Sequence, residues 1–455
     1  MQKVLSSAGF RFVDLFAGIG GFRIALESVG GECAASAEIN AQAIEVYRSN
    51  WQADAENHNL GDISQLEILP AHDLMVGGVP CQPWSIAGQN KGFDDPRGQL
   101  WVDVIRLVEQ NRPKAFIFEN VKGLVDPRHS ALLEQFLFSF RQLGYKVHTK
   151  LLNAFDYGVP QNRDRVFIVG VREDCAARDF IFPEYQENQM RLFDVFDIPA
   201  PEHEIQAVEL ERDLFGERIG TGFNKLTPKE HQNEFFILND LRHGPTSIHS
   251  WEIYDTSERE KQICLTILRN RRNKKYGDKD GIPLSFEQLR ELIPDLVINE
   301  LLELVSKSVL VKLEDGTFEF LNSRMSSGIN GTYRIFLPTA RFFGTLTARG
   351  MNDEIALVSV TGKTPGEYKQ NFIAQVLRPK LHRPISVREA ARLQAFPENY
   401  KFHKTDSASL RLLGNSVAIS VVKAVAESLI QTGVFDTNLE QSIPRDLVAF
   451  SGLVS

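Results

Sequence analysis

An alternation constrains the fold of this chain more than any other feature. Between Arg11 and Val171, six short apolar runs are separated by segments of helical length: RFVDLF (11–16), ECAASAE (32–38), HDLMVGG (72–78), KAFIFEN (114–120), KVHTKLLNA (146–154) and DRVFIVGV (164–171). Apolar β-branched runs alternating with helical patterns read as a parallel α/β sheet, since strands covered by helices on both faces have no polar side. The helical segments are Gly21–Ser28, Ala41–Asn50, Trp101–Gln110 and Ser130–Leu143. The expected fold is therefore α/β, a doubly wound Rossmann-like domain whose ligands sit in the crevice at the carboxyl ends of the strands. Each distinctive motif of the chain falls where a run ends.

Beyond Val171 the texture changes. Residues 172–383 are polar and irregular, and near 284–322 two short amphipathic helical patterns precede a hairpin with Asp315-Gly316 as its turn, which resembles a winged-helix insert. From Pro384 the helical pattern returns in SVREAARLQAF and NSVAISVVKAVAESLIQ, and the tail after Thr432 reads as irregular. The expected division is 1–171 and 384–455 as two parts of one domain, with 172–383 as a smaller mixed domain between them. At 455 residues the chain is long enough for two or three domains.

Composition excludes several classes. No apolar run is long enough to span a bilayer, and the first residues lack the basic, apolar and cleavage regions of a signal peptide. The four cysteines, Cys33, Cys81, Cys175 and Cys264, form no CxxC or CxxH pair, so neither a disulfide framework nor a zinc site is expected and a reducing cytosol fits. A net charge of -8 speaks against nonspecific polyanion binding by the whole surface. The stretch 268–280 nevertheless carries six Lys/Arg against two Asp, either a phosphate-contacting face or a solvated loop.

Four motifs carry chemistry. DLFAGIGGFRIALE (14–27) is a strand, a glycine turn and a helix start, where Gly18, Gly20 and Gly21 allow close backbone approach to a ligand. Glu38 ends the next strand, where an acid accepts from a ribose diol, and Asp62 in GDIS is expected at a third strand end beside an adenine amine. No phosphate-binding residues accompany them, which suits a nucleoside without phosphates. GGVPCQPWSIAG (77–88) sets Cys81 between Pro80 and Pro83, either as a small core residue or as a nucleophile on a stiff loop, with Gly77 and Gly78 letting ligands come close. FENVKG (118–123) offers Glu119 and Asn120 to a heterocycle edge, or Glu119 as a helix cap. In YGVPQNRDRVFIVG (157–170), Arg163 and Arg165 are two apart, which points both to one face.

These motifs, in this order, resemble the cytosine-5 DNA methyltransferase family, and RPISVREAARLQAFP (383–397) and LLGNSVAISVV (412–422) extend the resemblance. It covers nearly all of 11–171 and 383–430, leaving 172–382 as the family's variable target-recognition region, in which GTLTARG (344–350) resembles its Thr-Leu dipeptide. The resemblance implies S-adenosylmethionine held by Phe16, Ala17, Gly18, Ile19, Gly20, Gly21, Glu38, Ile39, Asp62, Ile63, Pro80, Leu100, Asn415, Ser416 and Val417. It further implies a cytosine flipped out of duplex DNA, Cys81 as nucleophile at carbon 6, and Glu119 holding the protonated ring nitrogen 3 and the exocyclic amine. Arg165 would orient Glu119 and Arg163 would hold the base or its phosphate. Gln82, Ser85, Ser326, Asn330, Thr332, Arg334, Thr345 and Arg349 are the expected DNA contacts. No metal is implied. A cytoplasmic monomer acting on the same site as a cognate restriction endonuclease is the expected setting. A tRNA cytosine-5 methyltransferase and an inactive DNA-binding relative are the rival readings.

Overall fold

The computed structural model describes residues 9–51, 59–80, 100–186, 188–200, 235–238, 247–248, 250–271, 273–277, 281–321, 334–348, 353–362 and 365–436. They form two compact units. One holds the described residues up to Met190, those of 344–350 and those from Ser386 onward; the other holds the described residues of 191–343 and 351–385. The first unit thus runs past the expected boundary at 171, and it recovers the Thr-Leu segment from the region assigned to recognition.

The first unit is built on a six-stranded sheet. Its strands are β1 (Phe10–Leu15), β2 (Gly31–Ala37), β3 (Leu74–Gly78), β4 (Ala115–Val121), β5 (Tyr145–Asn153) and β6 (Asp164–Arg172), in the order β2-β1-β3-β4-β6-β5. β1 pairs parallel with β2 and β3, and β3 with β4, whereas β6 runs antiparallel to both its neighbours. The expectation of a wholly parallel sheet is corrected here. A parallel return needs a crossover of about a dozen residues or more, and the link from Asn153 to Asp164 holds no α-helix, so β6 turns back. The crossover helices are α1 (Gly21–Glu27), α2 (Ala41–Asn50), α3 (Leu100–Asn111) and α4 (Ser130–Gln142).

Aromatic residues fill the core under α3 and α4. Trp101 stacks on Phe136 with ring centroids 5.1 Å apart, and Phe116 meets Phe118 at 4.9 Å and Phe140 at 4.5 Å. All of these except Phe136 are fully buried, and burying each such side chain stabilises the fold by roughly 1.5–3 kcal/mol. The Phe116 ring lies over Gly170, its cross-strand partner, where any side chain would collide with it. Gly77 has a comparable reason: a Cβ there would lie 2.5 Å from the Leu15 carbonyl oxygen across the β1–β3 pair. Its role is strand packing and not ligand access, which corrects the expectation for that residue.

The C-terminal part supplies helices Asp406–Asn415 and Ile419–Ile430. Residues 406–430 have the length and mean hydropathy of a membrane span, yet they form two helices whose Leu413, Val422, Val425 and Leu429 are fully buried within the protein.

The second unit has its own sheet, in which strands 382–384, 353–356, 334–336, 235–238 and 247–248 lie side by side. Separate from that sheet, helix Glu258–Asn270 packs with helices Phe286–Leu292 and Ile298–Ser306 and with the hairpin Leu310–Lys312/Phe318–Phe320, around Ile263, Ile267, Leu289, Leu301, Leu304 and Phe318. Leu284 bridges Phe318 antiparallel, so the order is helix, bridge, two helices and a two-stranded wing. Glu258–Asn270, ahead of the expected 284–322, supplies the first helix of this cluster. Among the described residues, Ser257, Ser285 and, in the first unit, Ser386 open helices with capping boxes.

Candidate active site

The glycine turn after β1 is the floor of a cleft of about 300 Å³ in the first unit. Three residues in it have left-handed backbone: Phe16 at φ 57°, Gly18 at φ 56° and Gly20 at φ 80°. For a phenylalanine this region is strained, and such strain persists where the surroundings over-determine it. Phe16, Ala17, Gly18, Ile19 and Gly21 line the cleft. Gly20 does not; its missing Cβ makes room for Trp51, whose ring would lie 2.5 Å from it.

Glu38 ties this turn to the end of β2. Its Oε2 accepts from the Gly18 amide at 2.9 Å, and its Oε1 accepts from the amides of Ile39 at 2.8 Å and Asn40 at 2.7 Å. Three of about four acceptor positions are occupied, leaving roughly one for a ligand hydroxyl. Asn40 caps α2 and also lines the cleft, and Asn59 brackets Glu38 by accepting from its amide and donating to its carbonyl. The sequence reading missed both residues; the Asn ahead of AQAIEVY was a helix-cap signal. Asp62 ends no strand, which corrects its expected placement. It caps a short 3-10 turn, Ile63–Gln65, and Asp62 and Ile63 still reach the cleft wall. With no strand among the described residues between β2 and Asp62, the Pro80–Cys81 step follows the third strand and Glu119 lies on the fourth.

At the other end of the cleft stand β4 and β6. Glu119 pairs with Phe167 in the β4–β6 register, which puts Arg165 on the diagonal of the same face. Arg165 Nε lies 2.9 Å from Glu119 Oε1. The contact is an ion pair without hydrogen-bond alignment, so the carboxylate keeps its acceptor capacity. Both side chains are largely buried, at 16% and 10% exposure. Asn120 faces away, as strand alternation requires. Its amide donates to the Val79 carbonyl at 3.2 Å, fixing the backbone just before Pro80 instead of offering itself to a base. A Cβ on Gly78 would stand 3.8 Å from Glu119 Oε2, an ordinary contact.

Arg163 differs from Arg165. Its buried guanidinium donates to the carbonyls of Leu346 at 3.1 Å, Gly414 at 3.4 Å and Ser416. It therefore joins the Thr-Leu segment to the loop carrying Asn415, Ser416 and Val417, and those donors hold the protein and not a phosphate. Thr345 Oγ1 donates to the Asn162 carbonyl at 2.6 Å on the same seam. Gly414 carries no Cβ because one would run into the Thr347 backbone. Ser416 and Val417 press on the start of α1: a Cβ at Gly21 would lie 2.8 Å from Ser416 Oγ and from Val417 Cγ2. Ile39, Pro80, Leu100 and Asn415 also line the cleft.

Of the expected DNA contacts, Arg334 is tied to the protein. It forms a two-point ion pair with Asp353, its neighbour across a parallel strand pair, with Nε 3.0 Å from Oδ1. A side chain held that way braces the second sheet. Cys81, Gln82, Ser85, Ser326, Asn330, Thr332 and Arg349 lie outside the described residues. In the basic stretch, Arg271 is buried against Glu319 at 3.6 Å and Lys275 pairs with Glu291 at 2.9 Å, so two of its cations serve the fold.

Electrostatics narrow what the cleft can hold. The charged residues on its described wall are Glu38, Asp62, Glu119, Arg163 and Arg165, and both arginines face protein acceptors. A phosphate would find no uncommitted cation on the described wall, whereas a nucleoside with a positively charged substituent fits acids at Glu38 and Asp62. The described cysteines are poor nucleophiles: burial pushes Cys33 and Cys264 up to about 12 and raises Cys175. Among the described residues no group of His, Cys, Asp and Glu could hold a metal ion. Behind the turn, Asp14 is fully buried; desolvation holds its carboxyl well above the ordinary range, against the opposing pull of Arg23.

Similarity to known proteins follows the same geography. The family model described as C-5 cytosine-specific DNA methylase matches residues 10–431. The chain is 62% identical over 431 residues to the Type II methyltransferase M.HgiCII of Herpetosiphon aurantiacus, covering 94% of this chain and 99% of that one. It is 33% identical to the Type II methyltransferase M.BanI of Aneurinibacillus aneurinilyticus, covering 93% and 96%. Among solved structures, the Entamoeba histolytica methyltransferase EhMeth aligns with a TM-score of 0.50 at 13% identity, over 93% of this chain and 98% of that one.

Proposed function

Because the chain belongs to the C-5 cytosine-specific DNA methylase family and is a DNA cytosine-5 methyltransferase of the Type II restriction-modification kind, we propose that it works on a cytosine flipped out of duplex DNA, through a covalent adduct at Cys81. The observation that carries this reading is the Glu119–Arg165 pair, 2.9 Å apart on the cleft wall and within the same lining as Pro80, the residue before Cys81. An acid held by an arginine, on a cleft that Pro80 also lines, is the acid that cytosine activation by a thiolate needs.

Carbon 5 of cytosine is a weak nucleophile, since attack from it breaks the ring conjugation. Addition of the Cys81 thiolate to carbon 6 makes carbon 5 enamine-like, and that carbon then takes the methyl group. Glu119 holds the protonated ring nitrogen 3 and the exocyclic amine, stabilising the charge that builds up as sulfur adds. Arg165 keeps Glu119 in place and reaches the base carbonyl. Loss of the carbon 5 proton to a base or water expels Cys81 and restores the ring. S-adenosylmethionine, when bound, supplies the electrophilic methyl on a sulfonium. The residues suited to hold it are Phe16 to Gly21 as backbone floor, Glu38 at the ribose, Asp62 at the adenine amine and Asn415 to Val417 as the far wall. Asn120 and Pro80 fix the backbone that carries Cys81, which matters because misplacement of about 1 Å can cost two orders of magnitude. Gln82, Ser85 and Arg349 remain the DNA contacts, with Ser326, Asn330 and Thr332. The enzyme acts as a monomer in the cytoplasm, on the site that a cognate endonuclease cuts.

Cys81→Ser tests the reading. Transfer to duplex DNA falls below detection while cofactor and DNA binding persist, and DNA carrying 5-fluorocytosine traps the unaltered enzyme in a covalent complex. Full activity of the Ser variant would refute the nucleophile, and activity on tRNA alone would replace the substrate.

A further inference from the structure

We propose that Tyr400 is a positioning residue for the cofactor turn: its hydroxyl, brought in from the C-terminal part of the chain, fixes the Ile19 carbonyl and through it the backbone from Gly18 to Gly21. The inference rests on the reading of that turn as an S-adenosylmethionine site.

Tyr400 is 5% exposed, and its hydroxyl donates to the Ile19 carbonyl oxygen. Ile19 lies between the two left-handed glycines and lines the cleft, so its peptide plane sets where the neighbouring amides point. A turn rich in glycine has much conformational freedom to lose, and something outside it must select one conformer. Two hydrogen bonds act from the inside: Gly20 donates to Ala17 at 2.8 Å and Gly18 to Glu38 at 2.9 Å. Tyr400 supplies one from the outside.

The surroundings hold that hydroxyl in place. Trp51, whose ring takes the space beside Gly20, meets the Tyr400 ring edge-on at 6.0 Å and the Tyr47 ring at 4.6 Å. The Arg23 guanidinium covers Trp51 at 4.6 Å. The Tyr400 carbonyl accepts from Arg388 at 3.0 Å, and Lys401 and Asn50 exchange two hydrogen bonds of 2.9 Å each. Burial pushes the Tyr400 hydroxyl far above its ordinary pKa, which keeps it a donor.

Packing alone does not call for a hydroxyl here. Phe396 and Phe402 pack against the same ring at 5.0 Å and 5.2 Å and do without one. A buried hydroxyl costs free energy unless it is bonded, so position 400 is distinguished from its neighbours by what its oxygen reaches.

Tyr400→Phe tests the proposal. Dissociation constants for S-adenosylmethionine and S-adenosylhomocysteine, measured by calorimetry without DNA, rise about 5- to 20-fold, the worth of one buried hydrogen bond. The cofactor KM rises in step, while kcat at saturating cofactor and the DNA KM stay close to those of the parent. Phe402→Leu is the control: it lowers the thermal midpoint and leaves cofactor affinity alone. Equal cofactor affinity in Tyr400→Phe and the parent would overturn the proposal, as would an equal loss in Phe402→Leu. Failure of the parent itself to bind either compound would overturn the cofactor reading along with it, so the two failures are told apart.

Discussion

The two ends of the cleft are made of different material. At the end proposed for the nucleoside, backbone does the work: three left-handed residues, a run of amides and a carboxylate, Glu38, already bonded to three of them. At the end proposed for the base, side chains do it: Glu119 and Arg165 face each other from adjacent antiparallel strands with acceptor capacity to spare. A site that binds a ligand in one pose can be preformed in backbone, and the cost of a change there is steric. A site that must stabilise charge as a reaction proceeds needs ionisable groups, and the cost of a change there is chemical.

Substitutions at the two ends should therefore fail in different ways. Glu119→Gln keeps the shape and removes the charge; kcat falls roughly a hundred- to a thousandfold, with cofactor affinity unchanged by calorimetry. A fall in cofactor affinity instead would erase the distinction between the ends. Gly21→Ala reverses the pattern, because its Cβ would press on Ser416 and Val417 at 2.8 Å. Overpacking costs about 1–3 kcal/mol, read as weaker cofactor binding with kcat at saturation retained.

The arginines sharpen the same contrast. Spacing alone does not separate Arg163 from Arg165, two apart on one expected face, and only the family resemblance gave them different roles; one braces three carbonyls and the other an acid. Arg163→Lys loses the fork and leaves buried carbonyls without donors, so urea denaturation shows a loss of about 1–3 kcal/mol. Arg165→Lys loses less stability and more kcat. If both variants lost activity alone, Arg163 would be returned to the base. Arg334→Ala belongs with Arg163: breaking its pair with Asp353 lowers stability without changing the methylated sequence, which bisulfite sequencing reads out.

What was legible followed from local chemistry. The strand and helix segments of 11–171, the glycine turn, Glu38 and Glu119 could be read because each motif ends a periodic run, and periodicity is a property of neighbouring residues. The reversed β6 was not, since strand direction depends on the length and path of the 154–163 link and not on the alternation inside the strand. Asp62 was expected at a strand end although no apolar run leads to it, and among the described residues there only Asn59 bridges β2. The bonds of Arg163 to Gly414 and Ser416 and of Tyr400 to Ile19 join residues about 250 and 380 positions apart, and no local pattern carries such distances. Arg334 looked like a base reader because Arg suits guanine, yet Arg also suits carboxylates; only the strand register reveals Asp353 opposite it.

Asp14 offers the subtlest test of the nucleoside end. It lies under the turn, fully buried, with neither oxygen hydrogen-bonded; burial raises its pKa, Arg23 opposes that shift and Glu38 adds to it. Tyr47 and Cys33, which share the same pocket of charge, are both raised by burial as well. A carboxyl whose pKa rises on folding holds its proton more tightly in the native chain than in the unfolded one. Its contribution to stability is then complete below the ordinary carboxylate range and declines as pH climbs through that range toward the raised value. Asp14→Asn keeps a neutral side chain of similar shape at every pH, so its unfolding free energy declines less over that window. The two proteins are closest in acid, and the Asn variant gains on the parent toward neutral pH, as urea denaturation at a series of pH values would record. Parallel curves would mean that Arg23 offsets burial and that Asp14 is ionised at neutral pH, as in the unfolded chain. The floor of the nucleoside end would then be held by charge, as the base end is.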